Sequence, residues 1–237
     1  MNSLKKISLV TAIVAFAFPA SANDILPAPA VVAHASDWSG AYVGGSLGTA
    51  THSSYFCDDG AAFASCSDPD KSSLPNPEAD GSLVGITAGY DWQNGSIVYG
   101  VAGDLMFGDI SGSVGSTAGF GCFDETCGLE VTSVTILRGR AGYDMGDILP
   151  FATAGVALTE VSSFDENGSG SEGTFQNFVI GVGVDYRISD TFTIGADVLH
   201  LLENDEFIDP DTAAQCSYCG LTSHSATIAR INFAYLF

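Results

Sequence analysis

The sequence Arg230-Ile-Asn-Phe-Ala-Tyr-Leu-Phe237 stands at the carboxyl end of the chain and alternates between two kinds of residue. Every second position is apolar: Ile231, Phe233, Tyr235 and Phe237, with Arg230, Asn232 and Ala234 between them. Successive side chains of a strand point to opposite faces, so this segment has one apolar face and one polar face. The pattern is typical of a strand that separates membrane lipid from the interior of a barrel.

The amino-terminal sequence predicts a signal peptide over residues 1–22. Lys5 and Lys6 precede the apolar run 7–18, and Ala20-Ser21-Ala22 supplies a small-residue cleavage site. This run is shorter than the roughly 20 residues that a membrane-spanning helix needs, and no later apolar run reaches that length. If the exported chain enters a membrane, only a closed barrel satisfies the backbone hydrogen bonds of its strands.

Composition and charge narrow the class of protein further. The chain has 28 glycines, 11% aromatic residues and seven Lys plus Arg, and no long helical apolar stripe. Without Lys5 and Lys6, five basic residues stand against 28 acidic residues, a net charge of −23. Such a charge argues against binding nucleic acid or anionic lipid by electrostatic attraction.

Residues 23–37, with Pro27 and Pro29, predict a periplasmic linker, and residues 38–237 predict the barrel. Eight segments are strand-like: Trp38–Ala50, Gly81–Trp92, Ser96–Ile110, Glu130–Tyr143, Ile148–Glu160, Thr174–Ile188, Thr191–Glu203 and His224–Phe237. Short turns at 93–96, 144–147 and 189–190 alternate with long connections at 51–80, 111–129, 161–173 and 204–223. We therefore expect an all-β, eight-stranded antiparallel transmembrane barrel in the outer membrane, with short periplasmic turns and long extracellular loops.

Several segments together resemble a known family. They are Trp38-Ser-Gly-Ala-Tyr-Val-Gly44, Ala88-Gly-Tyr-Asp-Trp92, Gly100-Val-Ala-Gly-Asp104, Leu137-Arg-Gly-Arg-Ala-Gly-Tyr143, Leu149-Pro-Phe151 and Gly181-Val-Gly-Val-Asp-Tyr186. In order and spacing they are similar to the outer-membrane immunogenic proteins of alphaproteobacteria, small barrels of the porin family. The resemblance implies a surface protein among relatives reported as haem binders or weak porins. It also implies that Phe233, Tyr235 and Phe237 help address the chain to the barrel-insertion machinery.

Strand parity predicts which side chains face the barrel interior. In the second strand Val84 and Ile86 share the face opposite to Thr87 and Asp91, and the sixth strand repeats this alternation. The fifth strand does not reveal its facing, because residues 152–155 are all small. The same parity directs eight charged residues inward: Asp91, Asp104, Arg138, Arg140, Asp185, Arg187, Asp197 and Arg230, whose charges sum to zero.

Counted from the turns, Asp104, Arg138, Asp197 and Arg230 lie near mid-depth and the other four charged residues lie lower. An eight-stranded barrel is only wide enough for side chains to fill it. We therefore interpret the Arg and Asp residues as paired groups that close the interior. A permanently open diffusion pore is the alternative.

The predicted loops are acidic and contain all six cysteines. Lys71 is their one basic residue, and clustered carboxylates suit either a hydrated coat or weak binding of divalent cations. Export favours disulfides, and we predict local pairs, although six cysteines allow fifteen connectivities. The pairs are Cys57 with Cys66, Cys122 with Cys127 and Cys216 with Cys219, none of them expected in a strand. Cys216 and Cys219 are also compatible with a redox pair or half a zinc site.

His52, His200 and His224 are expected near the extracellular rim on neighbouring strands. They are interpreted as isolated polar residues or, alternatively, as contacts to a transition metal or haem. A catalytic reading has only the generic set His52-Ser-Ser54 with Glu203 or Glu206, so we expect no enzyme, catalytic residue or cofactor. The expected role is structural or interactive at the surface, beside outer-membrane lipid and lipopolysaccharide. A small porin or a receptor for haem or metal is the alternative.

Overall fold

The structure is a computed structural model that describes residues 37–57, 76–115, 126–164, 170–204 and 220–237. Eight antiparallel strands pair in sequence order, and pairing of the first with the last closes the barrel, as the sequence predicts. The strands are β1 Gly40–Cys57, β2 Ala79–Asn94, β3 Ile97–Gly115, β4 Thr126–Tyr143, β5 Ile148–Phe164, β6 Gly170–Ser189, β7 Phe192–Asn204 and β8 Gly220–Leu236. The described residues contain no helix long and apolar enough to span a membrane.

The predicted signal peptide and all but the last residue of the predicted linker lie outside the described residues. Lys71, Glu206 and four of the six cysteines, Cys66, Cys122, Cys216 and Cys219, also lie outside them. The disulfide pairing therefore stays a prediction.

Tight turns join the strands at one end of the barrel, which we call the turn end. The predicted turn around Gly95 is confirmed, because Asn94 pairs directly with Ile97. Gly95 has a φ of 61° and Gly146 has a φ of 89°, both in the region that glycine adopts without steric cost. The opposite end, where the strands lead into 58–75, 116–125, 165–169 and 205–219, is called the loop end.

The strands extend further toward the loop end than the sequence pattern predicts. They contain 13 to 20 residues, whereas about 9 to 11 suffice to cross a membrane. Strand pairing continues to Cys57 opposite Gly220 and to Cys127 opposite Val114. The expectation that no cysteine lies in a strand is therefore wrong for Cys57 and Cys127.

The outward face carries a belt of exposed apolar side chains, which we call the apolar belt. The predicted facing of β2 and β6 is confirmed, with Ile86 62% exposed and Val182 64% exposed. The sequence did not indicate which face of β5 points inward. In the structure Thr153 faces inward, and its hydroxyl donates to the Gly139 carbonyl at 2.7 Å. Toward the turn end the belt is aromatic: Tyr90, Trp92, Tyr99, Tyr143, Tyr186, Phe192, Tyr235 and Phe237. This aromatic girdle suits a membrane interface and was not recognised in the sequence.

Most buried side chains in the half of the interior toward the loop end are hydrophobic, which was not predicted from the sequence. We call this set the apolar cluster: Ala50, Ala79, Leu83, Met106, Ile110, Leu129, Val131, Val134, Ile136, Ala157, Val161, Phe175, Val179, Leu199, Leu201, Ala226 and Ile228. All of these residues are at most 8% exposed. The barrel thus has a packed hydrophobic core beyond its charged residues.

Candidate functional site: the charged barrel interior

Four charged residues meet inside the barrel at mid-depth, and we call them the upper tier: Asp104 on β3, Arg138 on β4, Asp197 on β7 and Arg230 on β8. Arg230 contacts both acids, with Nε 2.7 Å from Asp197 Oδ1 and Nη1 3.0 Å from Asp104 Oδ1. Arg138 also contacts both, with Nε 2.7 Å from Asp104 Oδ2 and Nη1 3.7 Å from Asp197 Oδ2. Each charge therefore has two opposite neighbours, which buried ions require.

Three further residues form the lower tier, nearer the turn end. Arg140 lies between two acids, with Nη1 2.8 Å from Asp185 Oδ2 and Nε 2.9 Å from Asp91 Oδ1. Its Nη2 also donates to Asp91 Oδ2. The guanidinium lies 5.0 Å from the Tyr42 ring centre and 5.1 Å from that of Phe151, which fixes its plane.

Arg187 faces inward but does not join either tier. Its Nη2 donates to the backbone carbonyl of Asp37 at 2.9 Å, and its Cζ lies 4.2 Å from the Trp38 ring centre. The sequence predicts four Arg and four Asp in the interior network. The ion pairs of the two tiers contain three Arg and four Asp. Because Trp38 occupies the turn end of the interior, Arg187 stacks on this ring instead of reaching a tier carboxylate.

Trp38 closes the interior at the turn end. It precedes β1, is 1% exposed and packs with Val98 and Leu149. Its backbone N–H donates to Gln93 Oε1 at 2.7 Å and its indole N–H donates to Asp144 Oδ1 at 3.2 Å. Next to it, the Ser39 backbone N–H donates to Asp37 and lowers the pKa of this carboxyl group.

Glycines opposite the upper-tier arginines provide the space that these side chains need. Gly155 pairs with Arg138, and a Cβ there would come within 2.6 Å of the Arg138 Cα. Gly48 pairs with Arg230, and a Cβ there would come within 2.7 Å of the Arg230 Cβ. Sequence reasoning missed these glycines. They can be recognised in the sequence as inward-facing glycines on the strand next to each arginine.

Apolar side chains lie directly on the loop-end side of the upper tier. Two positions toward the loop end from each upper-tier residue lies a member of the apolar cluster: Met106, Ile136, Leu199 and Ile228. A cavity of about 30 Å³ remains beside both tiers, lined among others by Tyr42 and Thr87, whose hydroxyls have no partner among the described residues. It has room for about two water molecules. The cavity can therefore hold water beside the charged residues of both tiers.

The three barrel histidines do not share one environment. His200 is exposed on the outward face, and its Nδ1 is 3.0 Å from Thr227 Oγ1, in keeping with an isolated polar residue. His52 and His224 are buried inside, and His52 Nε2 is 3.0 Å from His224 Nδ1. The expectation of isolated rim residues is therefore wrong for this pair. Glu203 is exposed, so it does not join His52 and Ser54 in the interior, and Glu206 lies outside the described residues.

Comparison with known proteins gives the family. The outer membrane protein beta-barrel domain family matches residues 8–221. The 22 kDa outer membrane protein of Rhizobium leguminosarum bv. viciae is 34% identical over 109 residues, 46% of each chain, so the match spans less than half of that relative. The 25 kDa outer-membrane immunogenic protein of Brucella abortus biovar 1 is 28% identical over 200 residues, 80% of each chain.

Among solved structures, Neisserial surface protein A aligns with a TM-score of 0.49 and 14% identity, over 84% of this chain and 98% of that one. The outer membrane protein OprG from Pseudomonas aeruginosa has the same TM-score and identity, over 84% of this chain and 96% of its own. The family match covers most of the residues that form the closed barrel. The chain is a small β-barrel protein of the bacterial outer membrane and belongs to the outer membrane protein beta-barrel domain family.

Proposed function

We propose that this barrel has a structural and interaction role at the cell surface, with a closed interior and loops that meet the outside. The upper tier is the observation that carries the proposal. Its two arginines and two aspartates each contact both opposite charges and are at most 5% exposed. An ion that crossed at this depth would have to separate buried charge pairs that compensate one another.

The apolar cluster supports closure independently of the charges. It lies between the upper tier and the loop end, where a hydrated ion would have to displace packed side chains such as Leu129 and Phe175. Protein interiors are packed as densely as organic crystals, so such a path does not open by small side-chain motions. A small porin would need both layers to move aside.

The proposed partners are lipopolysaccharide and divalent cations on the outward face. Just beyond the apolar belt, the described strands present a series of carboxylates to the outside: Asp80, Asp109, Glu130, Glu160 and Glu172. Carboxylates do not attract phosphorylated lipid directly, so calcium or magnesium would have to lie between them. The loops are proposed to be acidic and tied by local disulfides, and Phe233, Tyr235 and Phe237 to engage the barrel-insertion machinery. We also propose that the protein is not an enzyme.

Conductance across planar bilayers tests the closed interior. We expect the refolded protein to be silent and R138A/R230A to leak ions, because the double change leaves Asp104 and Asp197 buried without a cation, and the water that then solvates them has to penetrate the neighbouring apolar cluster as well. D109N/E172Q is the matched control, since it removes two charges from the outward face, and it should stay silent. Steady conductance by the unaltered protein, with no increase in R138A/R230A, would contradict the proposal and support the porin alternative.

A further inference from the structure

Two buried histidines face each other where the first and last strands meet. His52 lies on β1 and His224 on β8, and they are 3% and 0% exposed. His52 Nε2 and His224 Nδ1 are 3.0 Å apart, and the His224 ring stacks on Phe175 at 4.4 Å between centres. His224 lies six positions from Arg230 along β8, or about 20 Å, so the pair is remote from the upper tier.

The hydrogen bond between the rings leaves half of their polar atoms unpaired. His52 Nδ1 and His224 Nε2 have no partner among the described residues. In a neutral pair, one of these nitrogens carries a proton and the other a lone pair. Two nearby oxygens lack a partner as well: Ser54 Oγ on the inward face of β1, and Asn177 Oδ1, whose amide nitrogen donates to the His224 carbonyl at 2.9 Å. Unpaired buried polar atoms are destabilising, so the site is chemically incomplete.

We propose that His52 and His224 bind one transition-metal ion of the class that prefers imidazole, such as Zn²⁺ or Cu²⁺, between His52 Nε2 and His224 Nδ1. Tetrahedral bonds of about 2.0–2.1 Å place two ligand nitrogens about 3.3 Å apart, so the nitrogens need to separate by only ~0.3 Å. The ring centres, which are 4.1 Å apart, have to move to about 5.2 Å as both rings turn toward the ion. The ring that donates the hydrogen bond moves its proton from the facing nitrogen to its distant nitrogen, so that each imidazole carries one proton on the distant nitrogen and gives the lone pair of the facing nitrogen to the ion. The hydrogen bond between the rings is lost and no proton is released.

Metal binding also changes the hydrogen bonds that the two distant ring nitrogens need. With the ion in place, His52 Nδ1 and His224 Nε2 both carry hydrogen and both need an acceptor. Ser54 Oγ and Asn177 Oδ1 are acceptor oxygens without a partner in the same part of the interior. Metal-bound histidines generally donate their second N–H to such groups, which fixes the ring orientation.

The two imidazole ligands predict which metal ions the site prefers and how the ion would link two strands. Within the described strands no third histidine, cysteine or carboxylate joins the pair, so the remaining positions belong to water, and the Ser54 hydroxyl stays an acceptor for a ring N–H. Neutral nitrogen ligands disfavour calcium and magnesium, which prefer oxygen. Because the two ligands lie on β1 and β8, the ion would link the two strands whose pairing closes the barrel.

Copper titration of the untagged, refolded protein, followed by electron paramagnetic resonance, tests the proposal. Excess calcium is present to occupy the surface carboxylates. The chain has four histidines, and the variant H34A/H200A removes the two that do not belong to the pair. We expect this variant to bind one Cu²⁺ with the signature of two imidazole nitrogens, and Zn²⁺ to compete. H224F keeps an aromatic ring on Phe175 and should bind at least about tenfold more weakly. Its midpoint of urea unfolding should not rise with Zn²⁺, whereas that of H34A/H200A should.

Two results would overturn the assignment. One is a spectrum of H34A/H200A with fewer than two coordinating nitrogens, and this measurement does not depend on whether H224F folds. The other is unchanged affinity in folded H224F. Neither result bears on the closed interior, which conductance tests separately.

Discussion

The two halves of the barrel interior are built on opposite rules. Within the apolar belt, β8 faces outward with Ile231 and inward with Arg230. Nearer the loop end, the same strand faces outward with Thr227 and inward with Ile228. The polarity of the strand therefore inverts along its length. β2 repeats the inversion, with Ile86 outside and Asp91 inside toward the turn end, and Ser82 outside and Leu83 inside toward the loop end.

This inversion shows which solvent each half meets. Lipid tails are as apolar as leucine, so within the belt a strand gains little by turning its apolar side chains inward. The interior there holds hydrogen-bonded ion pairs beside the buried rings of Trp38, Tyr42 and Phe151. Beyond the belt the outward face meets water, and the hydrophobic effect again drives apolar side chains inward. The loop-end half is thus organised as a water-soluble barrel that continues the strands of a membrane barrel.

The upper tier gives the largest expected effect. We expect Arg138→Ala to lower the free energy of unfolding by about 3 to 5 kcal/mol, because Asp104 keeps a buried charge with one partner fewer. Urea unfolding in lipid vesicles measures this change. The control is Asp109→Asn on the outward face of β3, which should change stability by less than about 0.5 kcal/mol. Equal effects of the two changes would show that water screens the tier.

A pair of leucines on one strand tests the inversion directly. Leu129 is 0% exposed in the apolar cluster, whereas Leu137 on the same strand is 64% exposed in the apolar belt. Leu129→Ala should cost about 2 to 5 kcal/mol, because it leaves a cavity in a packed core. Leu137→Ala should cost clearly less, since lipid fills the space. If the two changes cost the same in urea unfolding, the loop-end half has no hydrophobic core of its own.

Arginine on the outward face locates the boundary between the two halves. Val182→Arg places a charge in the middle of the belt and should cost about 2 to 4 kcal/mol. Ser225→Arg places the same charge beyond the belt, where the cost should be about 0 to 1 kcal/mol. Unfolding in vesicles compares the two variants. A large cost for Ser225→Arg would move the membrane boundary toward the loop end.

Much of the belt half was predictable from the sequence. Period-two alternation and turn chemistry give eight strands in the right order, and parity places Asp104, Arg138, Asp197 and Arg230 inside, where the structure has them buried. The contacts among them were less accessible, because they depend on side-chain reach across the lumen. Arg187 shows this limit, since parity directs it inward but Trp38 holds it at the turn end.

The loop-end half was not predictable by the same argument. Near the loop end the apolar side chains of each strand face inward and the polar ones outward. If the apolar face is assigned to lipid along the whole strand, the strand is therefore predicted to end too early. Segments such as 51–57 and 126–129 were therefore assigned to loops, although their strand pairing continues. The buried pair of His52 and His224 was missed because the predicted first strand ended at Ala50 and the predicted eighth strand began at His224, so both histidines were placed at the rim.

Reduction of the cysteines gives the smallest expected effect. The described strands pair around the whole barrel through backbone hydrogen bonds, and Cys57 and Cys127 lie near the loop-end limits of β1 and β4. A disulfide there constrains the adjoining chain without holding the barrel closed. We expect unboiled protein to migrate equally with and without reductant on denaturing gels, because a closed barrel resists detergent. Mass spectrometry of unreduced peptides should recover the local pairs 57 to 66 and 122 to 127. If reductant alone abolished the difference between boiled and unboiled protein, the loop-end half would depend on its disulfides rather than on its apolar cluster.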